Sequence, residues 1–174
     1  MKYVALLRGI NVWWNKKVEM TRLKYCFGEM WFSNVSTYIN SGNVIFESEN
    51  DDFTHIENQL MEEFGFEIPI VYRERENIGN LVDQIPKEWH NDDSQKTDVL
   101  FLSNEFDTEE SLDLIKIKPW IDNVIYLPWA IVWNISREHY SKSGMNNFVK
   151  SKLYKNMTAR NINTVRKLAT LLGS

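Results

Sequence analysis

The spacing of apolar residues divides the chain into alternating strands and helices. Residues 2–10 are almost wholly apolar and run into the turn-like stretch 9–15, which predicts a buried first strand. From Met20, apolar side chains fall at Met20, Leu23, Phe27, Met30 and Trp31, the spacing of one helical face. Two short β-rich runs follow, at 35–39 and 44–47. Between them Asn40-Ser41-Gly42-Asn43 predicts a hairpin turn, because Asn and Gly tolerate positive φ. Asp51 or Asp52 is suited to cap a helix carrying Phe53, Ile56, Leu60 and Phe64 on one side, and Gly65 to end it. A fourth strand is expected at 68–72. The order β-α-β-β-α-β is the split β-α-β pattern of a ferredoxin-like sheet.

The second half repeats this order incompletely. A short helix at 77–85 is stopped by Pro86, and the polar stretch 87–96 reads as a linker. A strand is expected at 97–102. A helix follows at 108–117, with Thr108 as N-cap and Glu109 and Glu110 in its first turn. A hairpin at 123–127 and 130–135 turns at Pro128-Trp129, and helices at about 144–154 and 159–172 close the chain. No sequence repeat is visible. The fold class is therefore expected to be α+β. A ferredoxin-like split β-α-β subdomain covers 1–75. A smaller α/β subdomain, ending in two helices, covers 76–174.

Composition narrows the class. The 174 residues are 43% hydrophobic and 25% charged, an ordinary globular balance that argues against disorder. No apolar run approaches the roughly 20 residues needed to cross a bilayer. The first apolar run stops at Arg8, too soon for a signal-peptide core, so a cytoplasmic location is expected and no membrane partner. Cys26 is the only cysteine, which excludes an intrachain disulfide and a thiolate metal cluster. The net charge of −4 hides an asymmetry. From Arg137 onward eight Lys and Arg residues face only Glu138. Such a tail either meets an anionic partner or lies on the acidic surface of its own chain.

Three polar segments could carry chemistry: Arg8-Gly9-Ile10-Asn11-Val12, Asn40-Ser41-Gly42-Asn43, and the stretch Thr158-Ala159-Arg160-Asn161-Ile162-Asn163-Thr164-Val165. In a split β-α-β sheet the end of strand one lies beside the hairpin joining strands two and three. Arg8 and Asn11 should therefore sit near Ser41 and Asn43. Arg8 closes an apolar strand, so it either reaches the rim with its stem packed or holds a partner. In the last helix Ile162, Val165, Leu168, Ala169 and Leu172 share one face, opposite Arg160, Asn163, Thr164 and Lys167. Thr158 is the expected N-cap. Arg160 in a first turn opposes the helix dipole, and an anion bound there would resolve the conflict. The alternative is a surface Arg, or one paired with an acid from the acidic first half.

These residues resemble a known family. RGINV followed by V-x-M, then TYINSGNVIFES, then TARNINTVRKL are similar to the uncharacterised family called domain of unknown function 1697. The resemblance implies an α/β protein with a ferredoxin-like first part and a smaller second part, and it implies no established activity. It places Arg8, Asn11, Ser41, Asn43, Arg160, Asn161 and Thr164 at motif positions. Two departures stand out: the family usually has glycines where Trp13 and Trp14 stand, and a tryptophan where Ile162 stands. Two indoles at that edge would fill a ligand site, offer an aromatic platform or contact another molecule.

Other chemistries find little support. Neither GxxxxGK[ST] nor GxGxxG occurs, and there is no GxSxG elbow. His55, His90 and His139 are scattered, so no metal site is expected, and no cofactor. An RNA-recognition reading would need stacking aromatics; Tyr3 and Phe46 are the nearest and read as sheet core. The expected function is binding of an anionic small molecule, bearing phosphate or carboxylate, where the Arg8, Ser41 and Arg160 segments converge. Whether such a site is catalytic is left open. One alternative is a non-catalytic interaction module, a homodimer included, using Trp13, Trp14 and the basic C-terminal region. Nucleic-acid binding is a further, less favoured alternative, given the overall acidity.

Overall fold

The structure, a computed structural model, describes residues 1–12 and 16–173. Trp13 and Trp14 lie outside the described residues, so the expectation of a filled edge or an indole interface falls outside them too. The chain divides into two compact units, Met1–Glu76 with the chain end from Leu172, and Asn77–Leu171. Both are mixtures of helix and antiparallel sheet. Expected to be the smaller, the second unit is the longer.

In the first unit the elements are β1 (Lys2–Leu7), α1 (Met20–Glu29), β2 (Ser33–Tyr38), β3 (Asn43–Glu47), α2 (Ile56–Phe64) and β4 (Ile70–Glu74). The sheet order is β2-β3-β1-β4, and every neighbouring pair is antiparallel. Strands β1 and β2 therefore run the same way with β3 between them. Period-two alternation sends Tyr3, Ala5 and Leu7 of β1 and Val44 and Phe46 of β3 to one face. Leu23 and Phe27 of α1 and Ile56 and Leu60 of α2 pack there. Tyr3 stacks on Phe46 with centroids 5.7 Å apart, and both are buried, so neither is a platform for bases.

Three boundaries differ from expectation for local reasons. Trp31 was expected on the apolar face of α1 but is 95% exposed. The helix stops at Glu29, and Trp31 takes a left-handed φ of 66°, so helical spacing no longer aims it inward. Helix α2 starts at Ile56, because the Asp52 carboxylate accepts from the backbone and hydroxyl of Thr54 and makes a turn instead of a cap. Gly65 ends α2 as expected, at φ 78°. Strand β4 lies two residues later than 68–72, and helix α3 (Arg75–Gln84) follows it without a break.

The second unit holds β5 (Gln95–Leu102), β6 (Asp122–Leu127), β7 (Ala130–Ser136), β8 (Met157–Asn161) and most of α4 (Ile162–Leu172). The two expected helices before β8 are short 3-10 turns instead, at Glu109–Leu114, Gly144–Lys150 and Lys152–Asn156. Ser143 and Ser151 cap two of them through their side chains and interrupt what would otherwise be helix. The helix expected at 159–172 is also shorter: its first residues form β8, paired with β5.

The order in this sheet is β6-β7-β5-β8, the same topology as in the first. Val4 lies between Ile45 and Arg73 as Val99 lies between Val132 and Arg160. Leu7 donates its N–H to the carbonyl of Gly42 at 2.8 Å, and Leu102 donates to that of Trp129 at 3.0 Å. Both acceptor residues have positive φ, 75° and 72°. The strand order is duplicated although the residues are not.

Candidate functional site

The end of β1 is where the first unit gathers its motif residues. After Leu7 the chain leaves the sheet through Arg8, half-buried, and Gly9, at φ 70°. Arg8 donates its backbone N–H to the Pro69 carbonyl at 2.9 Å, which ties the strand end to the segment before β4. Asn11 then takes φ 52°, a left-handed conformation that Asn tolerates because its amide bonds locally. Its side chain is fully engaged. Nδ2 donates to the carbonyls of Val18 and Asn40, both at 2.9 Å, and Oδ1 accepts from the Val18 N–H at 2.8 Å. Asn11 also donates its own N–H to the Lys16 carbonyl. One side chain thus closes the loop after β1 and fastens it to the β2–β3 turn.

Asn43 does the same for the hairpin. It is fully buried, and its Nδ2 donates to the Tyr38 carbonyl at 2.9 Å and to Ser41 Oγ at 3.0 Å. Gly42 sits between them at φ 75°, and a Cβ there would lie 2.7 Å from both Leu7 Cβ and Ile10 Cδ1. The turn and the loop touch through a position that only glycine fits. Arg8, Asn11, Ser41 and Asn43 therefore share one end of this sheet, the juxtaposition that strand order demanded. Pattern reading did not show that the two asparagines spend their amides on holding the edge together.

In the second unit the motif is built differently from expectation. Thr158 lies in β8 and does not cap a helix. The cap is Asn161, whose Oδ1 accepts from the Thr164 N–H at 2.9 Å. Thr164, expected on the polar face of α4, is only 5% exposed. Arg160 is buried on the strand, and its Nη1 donates to Thr158 Oγ1 at 2.9 Å and to the Ala159 carbonyl at 2.8 Å. Burial lowers the pKa of its guanidinium to about 10. Arg160 is not in a first helical turn, so the dipole conflict that pointed to an anion does not arise. The helix is shorter because strand pairing of Met157–Asn161 with Asp98–Leu102 takes residues 159–161 out of it.

Other features offer less. A groove of about 410 Å³ between α1 and α2 is bridged by Arg22 to Glu63, and Cys26 lies in it. Burial, with Glu63 nearby, pushes the Cys26 thiol up, away from a reactive thiolate. A second groove, about 560 Å³, is lined by Trp31, Phe32, Glu47 and His55, and His55 stacks on Phe32. The Arg8 cluster lines neither. Among the described residues no group of three His, Cys, Asp or Glu side chains is placed to hold a metal ion, and no helix is long and apolar enough to cross a membrane.

The model of the family described as "Protein of unknown function (DUF1697)" matches residues 1–133. The chain is also similar to the conserved bacterial protein SP0830 from Streptococcus pneumoniae. The two share 26% identity and a TM-score of 0.80, with 98% of each chain covered. The comparison with curated proteins finds no match.

Proposed function

The chain belongs to the DUF1697 family, described only as of unknown function, and from that premise we propose that its first unit binds a phosphate- or carboxylate-bearing ligand at the sheet end shared by Arg8, Asn11, Ser41 and Asn43. The observation that carries this reading is the double tether of Asn11, which bonds Val18 on its own loop and Asn40 on the neighbouring turn. The Arg8 backbone leaves a buried strand tied to the Pro69 carbonyl, and Asn11 pins the loop beyond it, so that loop needs little further ordering when a ligand arrives. Gly9 supports approach from outside: no heavy atom lies within 4 Å of where its Cβ would be. A ligand oxygen can therefore reach the backbone there. Asn11 and Asn43 act in this reading as positioning residues, and Arg8 and Ser41 as the contacts.

The reading treats the first unit as ferredoxin-like, supported by the order β2-β3-β1-β4 within a β-α-β-β-α-β chain. It assigns the protein to the cytoplasm, supported by its single cysteine. It rests on the first unit alone. In the second, Asn161 already serves the start of α4 and Arg160 bonds along its own strand.

Titration calorimetry with inorganic phosphate and with a nucleoside monophosphate tests it. Wild type should bind at least one. Arg8→Ala should weaken that binding by about 10- to 100-fold, since hydrogen bonds to charged groups contribute roughly 1.5–3 kcal/mol. Absence of heat with both at millimolar concentration, or unchanged affinity in Arg8→Ala, refutes it.

A further inference from the structure

The duplicated topology puts two outer strands, β2 and β6, in equivalent places, and the chain treats them in opposite ways. Strand β2 reads SNVSTY, is polar, and its register with β3 shifts between Ser33 and Ser36. Polar residues and a bulge are how proteins stop an outer strand from pairing with another chain. Strand β6 reads DNVIYL and keeps continuous register with β7 from Asp122 to Leu127. Val124, Ile125, Tyr126 and Leu127 are only half-buried. Just before it stands Trp120, 90% exposed. An unbulged, apolar strand at the edge of a sheet is a template for pairing.

Charge along β6 says what pairs with it. At its start lie exposed Lys116, Lys118 and Lys142; Lys118 donates its backbone N–H to Asp122, and its ammonium bonds the Lys142 carbonyl. The Asp122 carboxylate does not cancel them at the surface, because it is buried and takes hydrogen bonds from Ser143 and Gly144. At its other end lie acids. Asp107 accepts from the Tyr126 hydroxyl at 2.9 Å, and exposed Glu109 and Glu110 act on that hydroxyl as well. The strand is thus basic where it begins and acidic where it ends.

We propose that β6 pairs antiparallel with β6 of a second copy of this chain, joining two four-stranded sheets across a two-fold axis. Antiparallel pairing reverses the second strand, so the lysine end of each copy meets the acidic end of the other. A strand of uniform charge would repel its own copy, whereas this one complements it. The same patch serves both partners, as a closed two-fold interface requires. Trp120 of each copy then lies beside the hairpin turn at the far end of the other β6, where an exposed indole finds apolar cover.

Sedimentation equilibrium on the full chain tests the pairing. Wild type should be a dimer, with the association weakened by salt. Lys116→Glu/Lys118→Glu should weaken dimerisation at least about tenfold, as like charges placed across an interface do. Adding Glu109→Lys/Glu110→Lys to that variant restores complementarity with the signs exchanged, and should restore the dimer. All four positions are exposed, and circular dichroism of each variant checks that the fold is kept. A wild type that stays monomeric at several hundred micromolar overturns the proposal. So does a dimer indifferent to the first pair of changes, or one the second pair fails to rescue.

Discussion

Gly42→Ala is the substitution that most directly probes how the candidate site is assembled. Two separate costs are expected. Alanine at φ 75° occupies the left-handed region, at roughly 1–2 kcal/mol. Its Cβ would also lie 2.7 Å from Leu7 Cβ and from Ile10 Cδ1, a contact that forces the turn and the loop apart. Overpacking of this kind adds roughly 1–3 kcal/mol. Gly9→Ala separates the two costs. Gly9 has φ 70°, but nothing lies within 4 Å of the Cβ position, so it carries the backbone cost alone. At about 2–4 °C per kcal/mol for a chain of this length, Gly9→Ala should lower Tm by about 2–8 °C. Gly42→Ala should lower it further, by about 2–12 °C. Ile10→Val removes Cδ1, so in a double-mutant cycle with Gly42→Ala it should recover about 0.5 kcal/mol or more. Calorimetric or fluorescence-detected melting of the four variants against wild type decides the matter. Equal losses in the two glycine variants, with no coupling to Ile10, would show that turn and loop do not touch as described.

Asn11→Ala removes two donated bonds and one accepted bond, and should cost about 4–5 kcal/mol, at roughly 1 kcal/mol per bond plus roughly 1–2 kcal/mol for alanine at φ 52°. Urea unfolding reads this, and a loss under 1 kcal/mol would contradict the tether. Burial alone would raise the Asp122 pKa, but hydrogen bonds from Ser143 and the N–H groups of Lys118 and Gly144 outweigh it and hold the carboxyl below the usual range. A depressed carboxyl contributes stability above its unfolded pKa and loses it as pH falls through the folded one. Asp122→Asn should therefore flatten the acid side of the stability profile below about pH 4; profiles that stay parallel there would exclude this. Trp31→Gly should raise stability by about 0.5–1 kcal/mol, because the indole is 95% exposed while its backbone sits at φ 66°. A destabilised variant in a thermal melt would mean that the indole is packed.

Strand order in the first unit was legible because both of its signals are local. Period-two alternation marked β1 and β3, and the Asn-Ser-Gly-Asn turn joined β2 to β3, so the nearness of Arg8 and Ser41 followed from topology alone. The strand at 157–161 was not legible, because Met-Thr-Ala-Arg-Asn continues an apolar helical spacing into Ile162, Val165 and Leu168. Its strand character comes from pairing with β5, a segment more than fifty residues earlier. Tertiary pairing of that kind overrides local preference. The 3-10 turns failed for the opposite reason. Serines at 143 and 151 bond the backbone two and three residues on, a competition that periodicity does not register.

The duplicated topology also explains why no repeat was visible in the residues. What the two sheets share is backbone: strand order, the N–H of Leu7 on Gly42 and of Leu102 on Trp129, and positive φ at both acceptors. Each of those needs only one main-chain bond and a turn, so side chains at equivalent positions were free to diverge. Gly42 is required where Ile10 presses on the turn, whereas Trp129 holds a similar φ of 72° and donates its N–H to Asp107 Oδ1 at 2.6 Å. One copy meets the backbone demand by removing a side chain and the other by adding a carboxylate. The same carboxylate accepts from Tyr126 and belongs to the acidic end of β6. The bond that replaces a glycine in the second unit therefore also helps give β6 the polarity that suits it to a second copy, while in the first unit the glycine leaves the turn seated against the Arg8 loop. One strand order thus carries a sheet end pinned around a glycine in the first unit and an edge strand ended by a carboxylate in the second.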